Sequence, residues 1–567
     1  MRKILLILSV TCFHLASMAQ DLGSIDLKNP VKLRGSLNST FTGYSYSGQG
    51  AGKRDPFSYT VTGSLGISIL DWSIPLSFAY SSRRLSYAQP FNRIGLSPRY
   101  KWVRLYGGYT SMSFSNYSLS GHSFLGGGFE LSPGPWRVAA MYGQLKEKVA
   151  YNEEARNTPC FKRMGYGVKF GYEGDETGAN LSLFTAKDDL NSIKLPSDTI
   201  LKGRQNLVVT LQLRLRLWSN LYFDGEYGRT VLTNDLLANG AARRSPLLGS
   251  AIKTNSSTIG SDAFNVSLGY RIERSTTELK YERVNPGYET LGGYYANNNF
   301  DNLTVGQTIS LKEGKINLAA NVGVERNNLN GREQNSELRM VGSLNASYAP
   351  NEKWSFNSSY SNFTGFTRVR PKDDPFFKDE MDSLSFYQVN QTATLGVSRM
   401  LGDEERRQMV MFSGSYQRSS DKLIHRDTSN LSNFYNGSVS HSYSIKALAL
   451  SFTESFTCFY GNGRGMKNLA YGPFVSVNKQ FYKGKVSSAL SCGFNYTELN
   501  GMAGGKVLNA ALNASYSPQK KREAAGKSVV SFRQRFTGSM AFIKRFAAAK
   551  VKGGHELTAI ATYSISF

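Results

Sequence analysis

The chain lacks any apolar run long enough to be a membrane-spanning helix. Such a helix takes about 20 consecutive apolar residues, and no stretch after the first fifteen residues comes near roughly 18. Cysteine is scarce, with four in 567 residues. Cys12 lies in the apolar N-terminal run, which leaves Cys160, Cys458 and Cys492. An odd, scattered set excludes a disulfide framework, and no pair has zinc-ligand spacing. Histidine is nearly as rare. After the N-terminal run only His122, His425, His441 and His555 remain, and none stands in a Ser/His/Asp or Asp/His arrangement. No hydrolytic site, metal or cofactor is expected. The glycine groups Gly107-Gly108 and Gly126-Gly127-Gly128 have no following Lys and no helix pattern, so they are not phosphate loops. There is no linker, low-complexity block or helical heptad, although a soluble chain of this length would split into several domains. Mean hydropathy is −0.35.

What is present is a period of two. In Val31–Thr42, Val31, Leu33, Leu37 and Phe41 share one register, while Lys32, Arg34, Ser36, Asn38 and Thr40 share the other. In Asn206–Trp218, Leu211, Leu213, Leu215 and Leu217 alternate with Thr210, Gln212, Arg214 and Arg216. The stretches Glu337–Tyr348 and Val529–Phe542 alternate in the same way. Each reads as a strand with one apolar and one polar face. Short turns, such as Glu313-Gly314, Gly402-Asp403 and Lys483-Gly484, alternate with long polar loops around 145–160, 188–203, 231–261, 286–299, 365–384 and 419–430.

The chain closes on Tyr563-Ser-Ile565-Ser-Phe567, with apolar residues two and four positions before a terminal aromatic. This pattern resembles the C-terminal targeting strand of bacterial outer-membrane β-barrel proteins. The resemblance implies that Tyr563, Ile565 and Phe567 are the signal read by the barrel-assembly machinery. At the other end, Met1-Arg-Lys, an apolar run from Ile4 to Leu15 and Ser17-Met-Ala19 form a signal peptide with cleavage expected after Ala19. A mature start at Gln20 and the abundance of Asn, Tyr, Gly and Ser are similar to exported proteins of the Bacteroidota.

The expected fold is all-β: a transmembrane antiparallel up-and-down barrel of about 26 strands (range about 24–28) with short periplasmic turns and long extracellular loops. Residues 1–19 are the signal, 20–30 a short periplasmic segment and 31–567 the barrel. The five tryptophans, Trp72, Trp102, Trp136, Trp218 and Trp354, all fall at or beside short turns. Indole favours the bilayer interface, so the five are expected to form an aromatic girdle on one rim. Glu454 is the exception to the pattern, because it shares a register with Leu448, Leu450, Phe452 and Phe456. Either a bulge reverses the facing there or Glu454 lies near a rim.

Lys plus Arg number 67 against 42 Asp plus Glu, a net of +25. Part of the excess falls in inward registers. Lys32, Arg34, Arg533 and Arg535 come together on the lumen side if the barrel closes. Arg214 and Arg216 instead meet Asp224 and Glu226 across the turn after Trp218 and are expected to pair with them. The tripeptides around Thr199 and Ser383 resemble the O-glycosylation acceptors of the Bacteroidota. TonB-dependent transporters are similar in location but carry a plug domain, and here only Gln20 to Pro30 precede the first strand.

The function expected is transport or envelope biogenesis, without enzymatic activity, in a cell outer membrane containing lipopolysaccharide. A hole of this width calls for a filling, either a plugging lipoprotein, a periplasmic partner or the chain's own loops. A loop-constricted, porin-like diffusion channel and a surface interaction scaffold are the alternatives. Nucleic acid is not an expected partner.

Overall fold

A computed structural model describes residues 31–48, 55–69, 71–82, 93–151, 159–194, 201–241, 252–293, 298–331, 338–362, 364–365, 386–423, 430–463, 465–518, 533–547 and 553–567. The signal sequence, Thr199 and Ser383 lie outside these residues. Twenty-eight β segments join in one sheet, every pairing antiparallel and, apart from two interrupted strands, between neighbours along the chain, and the last segment pairs with the first. Two strands are interrupted. β4 (Arg93–Leu96) and β5 (Arg99–Tyr100) both lie between β3 (Trp72–Ser81) and β6 (Val103–Ser113). β18 (Trp354–Ser361) and β19 (Thr364–Gly365) both pair with β20 (Phe386–Gly402). The result is a closed barrel of 26 strands, with no helix among the described residues. The break in β4–β5 falls at Ser97-Pro98, and proline has no N–H to give the ladder.

Alternation sets the two faces. On β10 (Thr177–Asp189) and β11 (Gln205–Arg216), Leu181 opposes Leu211 on the outer face, while Ser182 opposes Thr210 on the inner one. Leu181, Tyr166 and Phe170 are 53%, 57% and 56% exposed on the outside. A continuous apolar belt of this kind is a surface that only lipid covers.

The rim carrying Val31 and Phe567, here the proximal rim, is the one expected to face the periplasm. Its turns are mostly tight. Lys312, Glu313 and Gly314 take φ of 51°, 56° and 87°, and Tyr482, Lys483 and Gly484 repeat them at 52°, 56° and 82°. Glycine closes each turn where φ is most positive. The expected asymmetry of loops holds with three exceptions. Two distal connections are short, with two residues between Gly463 and Met466 and two between Leu499 and Met502. On the proximal side, β26 (Met502–Tyr516) and β27 (Arg533–Arg545) are joined by residues 517–532.

Candidate transport lumen

The barrel brings a filling of its own. The connection from β6 to β7 (Ser120–Leu131) folds inward, so that Phe114, Tyr117, Ser118 and Leu119 are buried. It docks on the inner faces of β12 (Leu221–Thr233), β13 (Thr258–Ile272) and β14 (Ser275–Val284). Glu226 accepts from the Tyr117 amide at 3.2 Å and from Asn116 Nδ2 at 3.2 Å. The Tyr117 hydroxyl donates to Glu282 at 3.0 Å and accepts from Asn265 Nδ2 at 3.1 Å. Burial, and then the charge of Glu282, push the Tyr117 phenol well above its ordinary range, so it stays a donor.

A second connection, from β14 to β15 (Phe300–Leu311), closes over the first. The Tyr288 hydroxyl donates to the Tyr117 carbonyl at 2.6 Å, and Thr290 Oγ1 donates to the Ser118 carbonyl at 2.9 Å. The rings of Tyr117 and Tyr288 meet edge to face with centroids 5.8 Å apart. Gly228 of β12 admits this contact, because a Cβ there would lie 2.6 Å from the Tyr288 hydroxyl and 2.8 Å from Tyr117 Cβ. Phe114 and Leu291 of the two segments join Met112, Phe124, Met141 and Phe184 of the wall in an apolar cluster. One sector of the wall, from β6 to β15, is thereby packed on its inner face like the core of a soluble protein.

Alternation alone did not point to this plug, but the sequence holds a signal for it. Leu207-Val208-Val209 and Val231-Leu232 are apolar on both registers, as strands buried on both faces are. Val208 and Leu232 on the inner register and Val231 on the outer one are each at most 1% exposed.

The charged residues sort by position. Arg214 meets Asp224 at 2.9 Å. Arg216 reaches Glu176 of the neighbouring turn at 3.5 Å rather than Glu226, which is taken by the inward segment. Arg533 opposes Ser566 and Arg535 opposes Ser564, while Ser566 in turn opposes Ser36, two residues from Arg34. Arg34 and Arg533 line one depression of about 570 Å³ at the proximal rim. Lys32 stands on the same inner register as Arg34. Among the described residues Arg34, Arg533 and Arg535 make no ion pair; Arg535 reaches the Ser515 hydroxyl at 3.4 Å.

All five tryptophans lie at the proximal rim. Trp72, Trp136 and Trp354 begin strands, and Trp102 and Trp218 sit in turns. Trp72 stacks on Tyr100 at 5.0 Å, and Trp354 stacks on Phe356 at 5.6 Å beneath the Arg399 guanidinium. Tyr563 packs on Phe536 at 4.7 Å, Ile565 opposes Leu37, and Phe567 pairs with Gly35. Glu454 sits on the outer face without a bulge, the fifth residue of β23 (Leu450–Gly463) from the proximal rim. It has partners there: His441 Nδ1 lies 3.2 Å from its carboxylate, and His441 Nε2 lies 3.2 Å from Gln408 Oε1. His122 is buried within β7, its Nδ1 2.8 Å from the Ser123 carbonyl.

No family model matches this chain, and no curated protein does. Solved structures with similar coordinates are outer-membrane barrels. Pseudomonas aeruginosa OccK1 (OpdK) is 10% identical, with TM-score 0.30 over 65% of this chain and 93% of its own. Acinetobacter baumannii OccAB2 is 10% identical, with TM-score 0.28 over 69% and 97%. The translocation pore of the P pilus usher PapC is 12% identical, with TM-score 0.38 over 94% and 98%.

Proposed function

We propose that the protein is an outer-membrane transport channel whose lumen is narrowed on one side by its own chain. The observation that carries this reading is the pair of inward-folded segments, 114–119 and 285–293, seated on one sector of an otherwise polar inner wall. A barrel of 26 strands is wider than the 22-stranded transporters that hold a plug, so an unfilled one would breach the membrane barrier. Here the filling is covalent with the barrel, and among the described residues the sector from β16 onward carries none, which leaves it for passage.

A second reading adds a partner at the periplasmic mouth. It is favoured by the basic group of Lys32, Arg34, Arg533 and Arg535 at the closure seam, which suits an acidic protein surface or phosphate groups. Single-channel recording of the purified protein in planar bilayers tests the first reading. A channel that conducts, and conducts more when the inward segment is undocked, supports it; a silent barrel in both forms overturns it. Pull-down from native outer membrane tests the second, with loss of a co-purifying protein on Arg533→Ser and Arg535→Ser as the supporting result.

A further inference from the structure

We infer that the path through the lumen is an oblique track of hydroxyl and amide side chains on the open wall, and that its cargo is a neutral polyhydroxylated chain, a glycan without dense charge. This rests on the channel reading and adds a substrate class to it.

The track is a register row. Arg271 of β13 opposes Thr276 of β14, and Thr276 opposes Thr308 of β15. Through Ala319 of β16 (Ile316–Asn327) the row reaches Asn345 of β17 (Leu338–Asn351), then Ser359 of β18, Thr394 of β20 and Ser415 of β21 (Arg406–Leu423). It continues to Asn436 of β22 (Asn430–Ile445). Each step crosses to the next strand, about 4.8 Å away. The row also climbs. Thr276 is the second residue of its strand from the proximal rim, and Ser415 is the tenth of its own. At ~3.3 Å per residue that is about 26 Å along the strands, or about 20 Å of height at the usual tilt of roughly 40°, most of the depth of an apolar belt.

A parallel row beside it holds Asn317, Ser347, Asn357, Ser413 and Ser438. From Thr276 to Asn436 neither row contains a charged side chain. Together they line a trench of about 840 Å³ that opens at Arg271, Glu273 and Arg274 on the proximal rim. The hydroxyls are spaced to bond along the row: Ser359 and Thr394 lie 2.7 Å apart, and Ser413 and Ser438 2.6 Å.

Hydroxyl and amide groups donate and accept alike, as sugar hydroxyls do. Each contact exchanges with water and nets only about 0.5–1.5 kcal/mol. A chain of hydroxyls can therefore advance one strand at a time, trading each partner for an equivalent one. A polyanion finds no counter-charge on the track, and the charged side chains of a polypeptide find none either. The plugged sector differs in kind: farther along β14 than Thr276, Lys280 and Glu282 lie 3.2 Å apart, and Tyr117 of the inward segment bonds Glu282.

The test uses the full-length protein in detergent and in planar bilayers, with maltodextrin, a polyanion of matched length and an unstructured polypeptide as probes. Calorimetry reads binding independently of conduction. Maltodextrin is expected to bind and to interrupt the current, and Asn345→Leu with Ser415→Leu to weaken both about five- to tenfold. Thr562→Val, inward-facing but off the track, should leave both unchanged. Heat-modifiable migration certifies that a variant is folded, and Asn345→Ala with Ser415→Ala replaces the leucine pair if it is not. An open channel that ignores maltodextrin, binds either other probe more tightly, or is indifferent to the double substitution overturns the inference. A silent barrel that still binds maltodextrin on the track upholds the recognition and overturns the channel reading instead.

Discussion

Gly35 and Phe567 close the barrel. The Gly35 amide donates to the Phe567 carbonyl at 2.7 Å, and the Phe567 amide returns a bond to the Gly35 carbonyl at 3.0 Å. The phenyl ring lies over the space where a Gly35 side chain would be: a Cβ there would stand 2.7 Å from the ring and 2.9 Å from the Ser64 carbonyl. The last residue of the chain thus completes the ladder with the first strand, on the outer face.

Deletion of Phe567 removes both bonds and the ring, and Gly35→Val displaces the ring without shortening the chain. Both are expected to lower the heat-modifiable, folded fraction in the outer membrane while export continues. Normal folded levels in the deletion would show that the residue is neither a closure element nor an assembly signal. Loss in the deletion with normal levels in Gly35→Val would separate the signal from the packing.

The plug hangs on few bonds. Glu226→Ala removes the acceptor of two of them and Tyr117→Ala removes the phenol held by Glu282 and Asn265. Either change, or Gly228→Val, is expected to raise single-channel conductance and its fluctuation, with heat-modifiable migration retained. Conductance equal to wild type in all three would mean that the inward segments do not limit the pore.

The two arginine pairs predict different phenotypes. Replacing Arg533 and Arg535 with Ser should reduce anion selectivity, read as a shift of reversal potential in a salt gradient. Replacing Arg214 and Arg216 removes two ion pairs open to solvent, so selectivity should hold and thermal stability fall by roughly one to two degrees. Identical behaviour of the two pairs would abolish the distinction.

On the outer wall, His441→Leu leaves the Glu454 carboxylate facing lipid without its partner. Unfolding by urea in detergent or lipid should show a less stable barrel, and the double variant His441→Leu, Glu454→Leu should recover the loss, since lipid then meets only hydrocarbon. Additive losses would indicate that the two side chains do not act together.

The strand pattern was readable because a barrel wall obeys a local rule. Each side chain faces lipid or lumen by the parity of its position, and that parity is written in the residues of Val31–Thr42 or Asn206–Trp218 themselves. From parity came the class of fold and the inward register of Arg533 and Arg535; the alternation of short turns with long loops supplied the strand number and put the tryptophans on one rim. Parity says nothing about where a connection goes once it leaves a strand. Phe114 to Leu119 turn inward because Glu226, Glu282, Tyr288 and Thr290, more than 100 residues away in sequence, offer them acceptors, donors and a ring. The same holds for Glu454, whose neighbour His441 comes from the adjacent strand, and for Glu226, which local pairing assigned to an arginine and the fold gave to Tyr117. Local chemistry was enough to assign the lipid-covered face of strands such as Val31–Thr42 and Asn206–Trp218, since the cost of burying polar groups in hydrocarbon acts residue by residue. The filling of the lumen waited on the closed barrel, because it depends on which distant side chains the curvature brings within reach of a hydrogen bond.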